Sequence, residues 1–157
     1  MSVLNECNRI LKTNSSLCLT TNLTGTFNEF YEVFINTIKE LGLDKYLPKL
    51  NDHINHRGTE KSTIELIEKS GFVIKNKIKS ECKMRFFNGT AFLNDSTTII
   101  GFIDSWRNLF PGHEKQLFFD RFEQRLNEYS KSKGELTLTI PMLYLECQKI
   151  ISTPNTR

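Results

Sequence analysis

Residues 134–148 read Gly-Glu-Leu-Thr-Leu-Thr-Ile-Pro-Met-Leu-Tyr-Leu-Glu-Cys-Gln, and their pattern decides the fold. Leu136, Leu138 and Ile140 alternate with Thr137 and Thr139, the period-two signature of a half-buried strand. From Met142 to Leu145 the chain is apolar at every position, which predicts a strand covered on both faces. Pro141 removes one ladder donor, so a bend or bulge is expected at the midpoint. A strand of this kind needs partners. Leu17–Thr21 and Phe72–Phe86 are the two stretches that offer them.

Working outward, residues 2–12 predict a short helix with Val3, Leu4, Cys7, Ile10 and Leu11 on one face. It leads through a turn at 13–15 into a strand over 16–22. A helix running straight into such a strand reads as the second part of a βα unit. Thr26-Phe27-Asn28-Glu29 fits a capping box. The helix it opens carries an apolar stripe through Phe30, Tyr31, Phe34, Ile38 and Leu41, and Gly42 is placed to stop it. After an irregular stretch with a short helix near 49–56, a helix over 60–70 ends at Gly71; its start is set by Thr59 or by a second capping box at Ser62–Glu65. Phe72–Phe86 reads as a long edge strand. Phe72, Ile74, Ile78 and Cys82 share its inner parity, and Lys75, Lys77, Lys79 and Lys83 its outer one. Asn88-Gly89 marks a turn. Two short helices follow, Pro111-Gly112 breaks the chain, and a long helix over 114–132 stops at Gly134. Residues 1–151 are expected as a single domain and 152–157 as a frayed tail.

At 157 residues, with 38% hydrophobic and 25% charged side chains, the chain has the composition of a globular domain able to bury a core. The net charge of +3 is small, and neither a basic helix nor an RNA-recognition signature occurs, so no nucleic-acid partner is expected. No apolar run approaches the ~20 residues of a membrane span, and the polar N-terminus does not read as a secretory signal, so a cytoplasmic protein without a membrane partner is expected. The four cysteines, far apart in sequence, read as reduced and mostly buried thiols. His53 and His56 are spaced to share a helix face, but no third ligand at matching spacing completes a metal site. No Gly-x-Ser-x-Gly elbow supports hydrolase chemistry.

The segments SLCLTTNLTGTFNEFYEVF (16–34), ELIEKSGF (65–72), MRFFNGTAFLN (84–94), GFIDSW (101–106) and LTLTIPMLYLE (136–146) together resemble the C-terminal half of class I S-adenosylmethionine-dependent methyltransferases, in the small-molecule group with a helical insertion before the last strand. The resemblance implies an α/β fold. It would be a partial Rossmann-like methyltransferase sheet of three strands, mixed, with the last strand antiparallel to both neighbours and lying between them. Residues 88–133 would form a helical lid. It also implies S-adenosylmethionine as cofactor. The donor site of that family lies in segments that this sequence does not contain: no Gly-rich turn after a first strand occurs, so no donor-binding residue is carried over.

By the same resemblance, Met84, Arg85, Phe86 and Trp106 face or border a small-molecule methyl acceptor. Core packing is the competing reading for Phe86 and Trp106. Arg85 has the chemistry to hold a substrate carboxylate bidentately. Asn22, where a strand ends, and Tyr31 are placed to line the same cavity, since ligands of open α/β sheets bind beyond the carboxyl ends of strands. A turn role for Asn22 and ring packing for Tyr31 compete. Three functional readings follow. The chain is the C-terminal part of a methyltransferase, inactive without its donor-binding half. Or it is a stand-alone α/β module for a small ligand. Or it is a subunit that completes another chain's sheet, or pairs with itself, through an open edge at Leu17–Thr21.

Overall fold

The computed structural model describes residues 3–150. In chain order the elements are α1 (Val3–Ile10), β1 (Ser16–Asn22), α2 (Asn28–Glu40), a 3-10 turn (Asp44–Tyr46), α3 (Leu47–Asn55), α4 (Glu60–Lys69), β2 (Phe72–Phe86), α5 (Gly89–Leu93), α6 (Ser96–Thr98), a π-helical turn (Ile99–Ile103), α7 (Asp104–Arg107), α8 (Gly112–Lys133) and β3 (Leu136–Lys149). The tail expected at 152–157, the end of the expected domain at 151 and the first helical position at Ser2 lie outside the described residues.

The fold is α/β, with one three-stranded sheet in the order β1-β3-β2. The last strand of the chain therefore lies between the two earlier ones, as expected. β3 runs antiparallel to β1, with Ser16 opposite Gln148 and Asn22 opposite Met142. It also runs against β2. The Ile150 N–H donates to the Gly71 carbonyl (3.2 Å) at one end of that pair, and Arg85 meets Glu135 at the other. β1 is an edge strand, and none of the described residues adds a strand along its outer side.

β3 departs from expectation in its second half. Its buried positions are the even ones through Ile140 and the odd ones from Leu143 to Cys147. The burial phase changes at Pro141–Met142, where the proline predicts a bend or bulge. Met142 and Tyr144 are half-exposed. The apolar run that suggests cover on both faces is a change of phase on a strand covered on one.

The described residues divide into two compact units. The first comprises residues up to Thr24, Arg57–Glu81 and the chain from Pro141. Its core gathers Leu23, Ile67, Phe72, Leu143, Leu145 and Cys147. α1 lays Leu4, Cys7 and Leu11 against it, whereas Val3 and Ile10 are exposed, so the apolar stripe is narrower than the sequence suggested. The Lys149 ammonium donates to the carbonyls of Asn8 (2.6 Å) and Leu11 (2.8 Å), satisfying acceptors at the C-terminal end of α1. α4 starts at Thr59, whose hydroxyl accepts from the Ser62 N–H while the Ser62 hydroxyl accepts from the Thr59 N–H. That is the reciprocal cap at the earlier of the two candidate starts.

The second unit comprises Gly25–His56 and Cys82–Ile140. α2 buries Phe30, Val33, Phe34 and Ile38, and α8 buries Phe118, Phe122 and Leu126. Phe34 lies 4.5 Å from Phe118 and 4.9 Å from Phe122 between ring centroids. Each buried ring contributes roughly 1.5–3 kcal/mol relative to exposure. Such packing, rather than helix propensity, holds pieces as short as α5 and α6.

Three further expectations are corrected. α2 has no side-chain cap. Phe27 occupies its N-cap position with a left-handed backbone (φ 62°), and Glu29 reaches across to β3. The centre of β2 is exposed on both faces, and Ile78 is 52% accessible despite its inner parity. Strand alternation says which way a side chain points, not whether anything lies above it. Cys18 and Cys82 are exposed, and only Cys147 is fully buried.

Candidate functional site

Tyr31, Phe86 and Trp106 come together in the second unit through a chain of ring contacts. α2 turns Phe30 and Tyr31 inward, and α7 brings Trp106, whose side chain is wholly buried. The Trp106 indole N–H donates to the Tyr31 hydroxyl at 3.2 Å. Its ring lies 4.3 Å from Phe30 and stacks on Phe102 at 5.6 Å and 15°. Phe92 links the indole to β2, with Phe86 edge-on to it at 5.1 Å and Trp106 at 6.0 Å. On the far side the Tyr31 ring meets His53 edge-on at 6.3 Å. The sequence reading missed Phe102 and the π-helical turn carrying it, of a type that often marks functional positions. Gly101 inside an isoleucine-rich run was its one visible sign.

Met84 is half-buried on the strand face that also carries Phe86. Arg85 has the opposite parity and is exposed, with its Nε 2.7 Å from the Glu135 carboxylate. Arg85, and then the Thr137 hydroxyl, hold the Glu135 carboxyl below its usual range. Asn22 belongs to the first unit, where it is the last β1 residue in the ladder, opposite Met142.

Glu29 is an acid anchored to a strand by both a backbone and a side-chain donor. Its carboxylate accepts from the Thr139 backbone N–H (3.0 Å) and from the Thr139 hydroxyl, while the Phe27 N–H donates to the Thr139 carbonyl at 2.8 Å. Partial burial pushes the Glu29 carboxyl up. The Thr139 donors, its own backbone amide and nearby Lys83 outweigh that and leave it below 4.5. Across the same unit, burial, then Glu29 and Glu32, raise the Tyr129 phenol.

Among the described residues no group of three or more His, Cys, Asp or Glu is arranged to hold a metal ion. The methyl donor implied by the resemblance asks for an open glycine turn between a strand and a helix. The turn leading into α2 has one glycine, Gly25, and then the buried Thr26 and Phe27, with the Phe27 N–H engaged by Thr139. These residues do not fit the donor, and no step is derived through it. Among the described residues no helix is long and apolar enough to cross a membrane.

No protein-family model matches the chain, and no curated protein matches it. Among solved structures, the chain is similar to a Bacillus halodurans C-125 protein provisionally described as a methyltransferase, at 17% identity and a TM-score of 0.43. The match covers 94% of this chain and 61% of that protein, so the chain spans less than two thirds of its length.

Proposed function

We propose that this chain is the acceptor-side, C-terminal portion of a class I S-adenosylmethionine-dependent methyltransferase acting on a small molecule, and that it is inactive on its own. The observation that carries the reading is the sheet order β1-β3-β2, with the last strand antiparallel in the middle and the outer side of β1 open. That is the trailing side of the sheet the resemblance implies, and the open edge is where a donor-bearing parallel strand would join. On this reading Tyr31, Met84, Phe86 and Trp106 border the acceptor, and Arg85 contributes a polar contact. Arg85 would exchange Glu135 for the acceptor's carboxylate.

Calorimetry with S-adenosylmethionine tests the reading directly. The chain alone should bind none, and a form extended by a strand–Gly-rich turn–helix segment ahead of residue 1 should bind it. Tight binding by the chain alone would refute the division of labour. In the extended form, Arg85→Ala should raise the Michaelis constant for the acceptor and leave that for the donor unchanged.

The open β1 edge favours a second reading, in which another chain, or a second copy, pairs along Leu17–Thr21. Sedimentation across a concentration series separates the two, because self-pairing requires mass to rise with concentration.

A further inference from the structure

A cleft of ≈ 550 Å³ runs between α7 and α8, wholly within the second unit and apart from the ring cluster's polar pair, Tyr31 and Trp106. Its volume falls within the roughly 300–1,000 Å³ range of small-ligand sites. α7 and α8 are joined by the four residues 108–111, so Arg107 and Lys115, which flank that connection, share one end of the cleft. Asp120 and Glu123 lie further along α8, towards Leu93 and Asn94. Ile103 and Phe119 form the apolar wall between the ends, with the Arg107 guanidinium over the Phe119 ring at 5.9 Å. Lys115 and Glu123 are eight residues apart on one helix, a rise of about 12 Å.

Several of the charges on α8 outside the cleft are paired. On the other sides of α8, Glu114 pairs with Lys45, and Arg121 and Arg125 pair with Glu40 and Glu128. In the cleft, Arg107, Lys115 and Asp120 form no ion pair among the described residues, although opposite charges share the space; Asp120 accepts a hydrogen bond from the Gln116 side-chain amide (2.7 Å). Glu123 is preset. The Thr90 hydroxyl donates to its Oε1, and Asn127 fixes Thr90 by donating to that hydroxyl oxygen (3.0 Å) and accepting from the Thr90 N–H (3.0 Å). One carboxylate is held in place at one end, and at the other Arg107 and Lys115 stand without an ion pair among the described residues, with Asp104 one turn before Arg107 also lining the cleft.

We propose that this cleft binds a zwitterionic small molecule of tripeptide size, with its carboxylate at Arg107 and Lys115, its ammonium at Asp120 and Glu123, and its apolar middle on Ile103 and Phe119. The inference is independent of the transferase reading, because it needs neither methyl donor nor acceptor.

Calorimetry on the full chain tests it with the peptide Ala-Leu-Ala in three forms: free termini, C-terminal amide and N-acetylated. The free form should bind at least about tenfold more tightly than either blocked form. Arg107→Gln with Lys115→Gln should erase the advantage of the free carboxylate and keep that of the free amine. Asp120→Asn with Glu123→Gln should do the reverse. Fluorescence of Trp106 checks that each variant is folded. No heat from the free peptide at millimolar concentration, equal binding of blocked and free forms, or variants that weaken all three peptides alike would each overturn the proposal.

Discussion

Glu29 and Thr139 are 110 residues apart in sequence, yet the Glu29 carboxylate occupies the place a neighbouring strand would take beside β3. It accepts from the Thr139 backbone N–H at 3.0 Å and from the Thr139 hydroxyl, and the Thr139 carbonyl accepts from Phe27 at 2.8 Å. The start of α2 therefore caps the edge of β3 at Thr139. Phe27 adopts a left-handed backbone that costs a bulky residue energy. It is this conformation that presents both groups to Thr139.

Glu29→Gln keeps the shape but loses the charge, and should cost about 1–2 kcal/mol once partial exposure is allowed for. The pH dependence follows from the direction of the shift. The folded-state carboxyl titrates below its ordinary 4.5, so its contribution is fully present above that value. It is lost as pH falls through the lower, folded-state value. Urea midpoints measured from pH 7 down to pH 3 should fall less steeply in Glu29→Gln than in the parent. Parallel curves would show that Thr139 does not favour the ionised form.

Gly89 is required by proximity, not by backbone conformation. A β-carbon there would lie 2.4 Å from Leu126 Cβ, so α5 docks on α8 only because residue 89 has none. Gly89→Ala should destabilise by about 1–3 kcal/mol through overpacking. Combined with Leu126→Gly, which removes the β-carbon that the new methyl group would meet, it should cost less than the sum of the two single changes. Thermal unfolding of the four proteins closes that cycle.

The contrast between β3 and β2 shows what the sequence makes legible. Alternation placed both strands, and the C-terminal strand's position between its partners followed from the resemblance. Pro141 predicts a bend or bulge, and the change of burial phase falls there. A one-residue phase shift and two-sided burial write the same apolar run, Met142 to Leu145, and only the partner strands distinguish them. Ile78 differs in another way: it is on the expected face, but among the described residues the middle of β2 is exposed. Among candidate site residues, Tyr31 and Trp106 were chosen separately, and no sequence pattern revealed that one bonds the other. The cleft charges went unnoticed because Arg107, Lys115 and Asp120 are scattered over two elements and form no motif.

The chain has one tryptophan, and its indole N–H has the Tyr31 hydroxyl as its partner. Tyr31→Phe leaves that buried N–H without its acceptor, at a cost of about 1–3 kcal/mol. Trp106 fluorescence should then report a lower urea midpoint with an unchanged slope, since the same surface is exposed on unfolding. A midpoint equal to the parent's would show that the bond contributes nothing net.

Lys149 ties the end of β3 to the end of α1 through the carbonyls of Asn8 and Leu11. Nothing in α1 is fully buried, so a helix of 8 residues depends on such ties. Lys149→Met preserves much of the apolar stem and removes the three donors. Global stability should fall by no more than about 1 kcal/mol, the net worth of exposed or half-exposed hydrogen bonds. The larger effect should be local, with the amides of residues 7–11 exchanging with deuterium about tenfold faster while the β1 and β3 amides keep their protection. Exchange that accelerates equally in α1 and β3 would instead mean that Lys149 supports the sheet rather than the helix end.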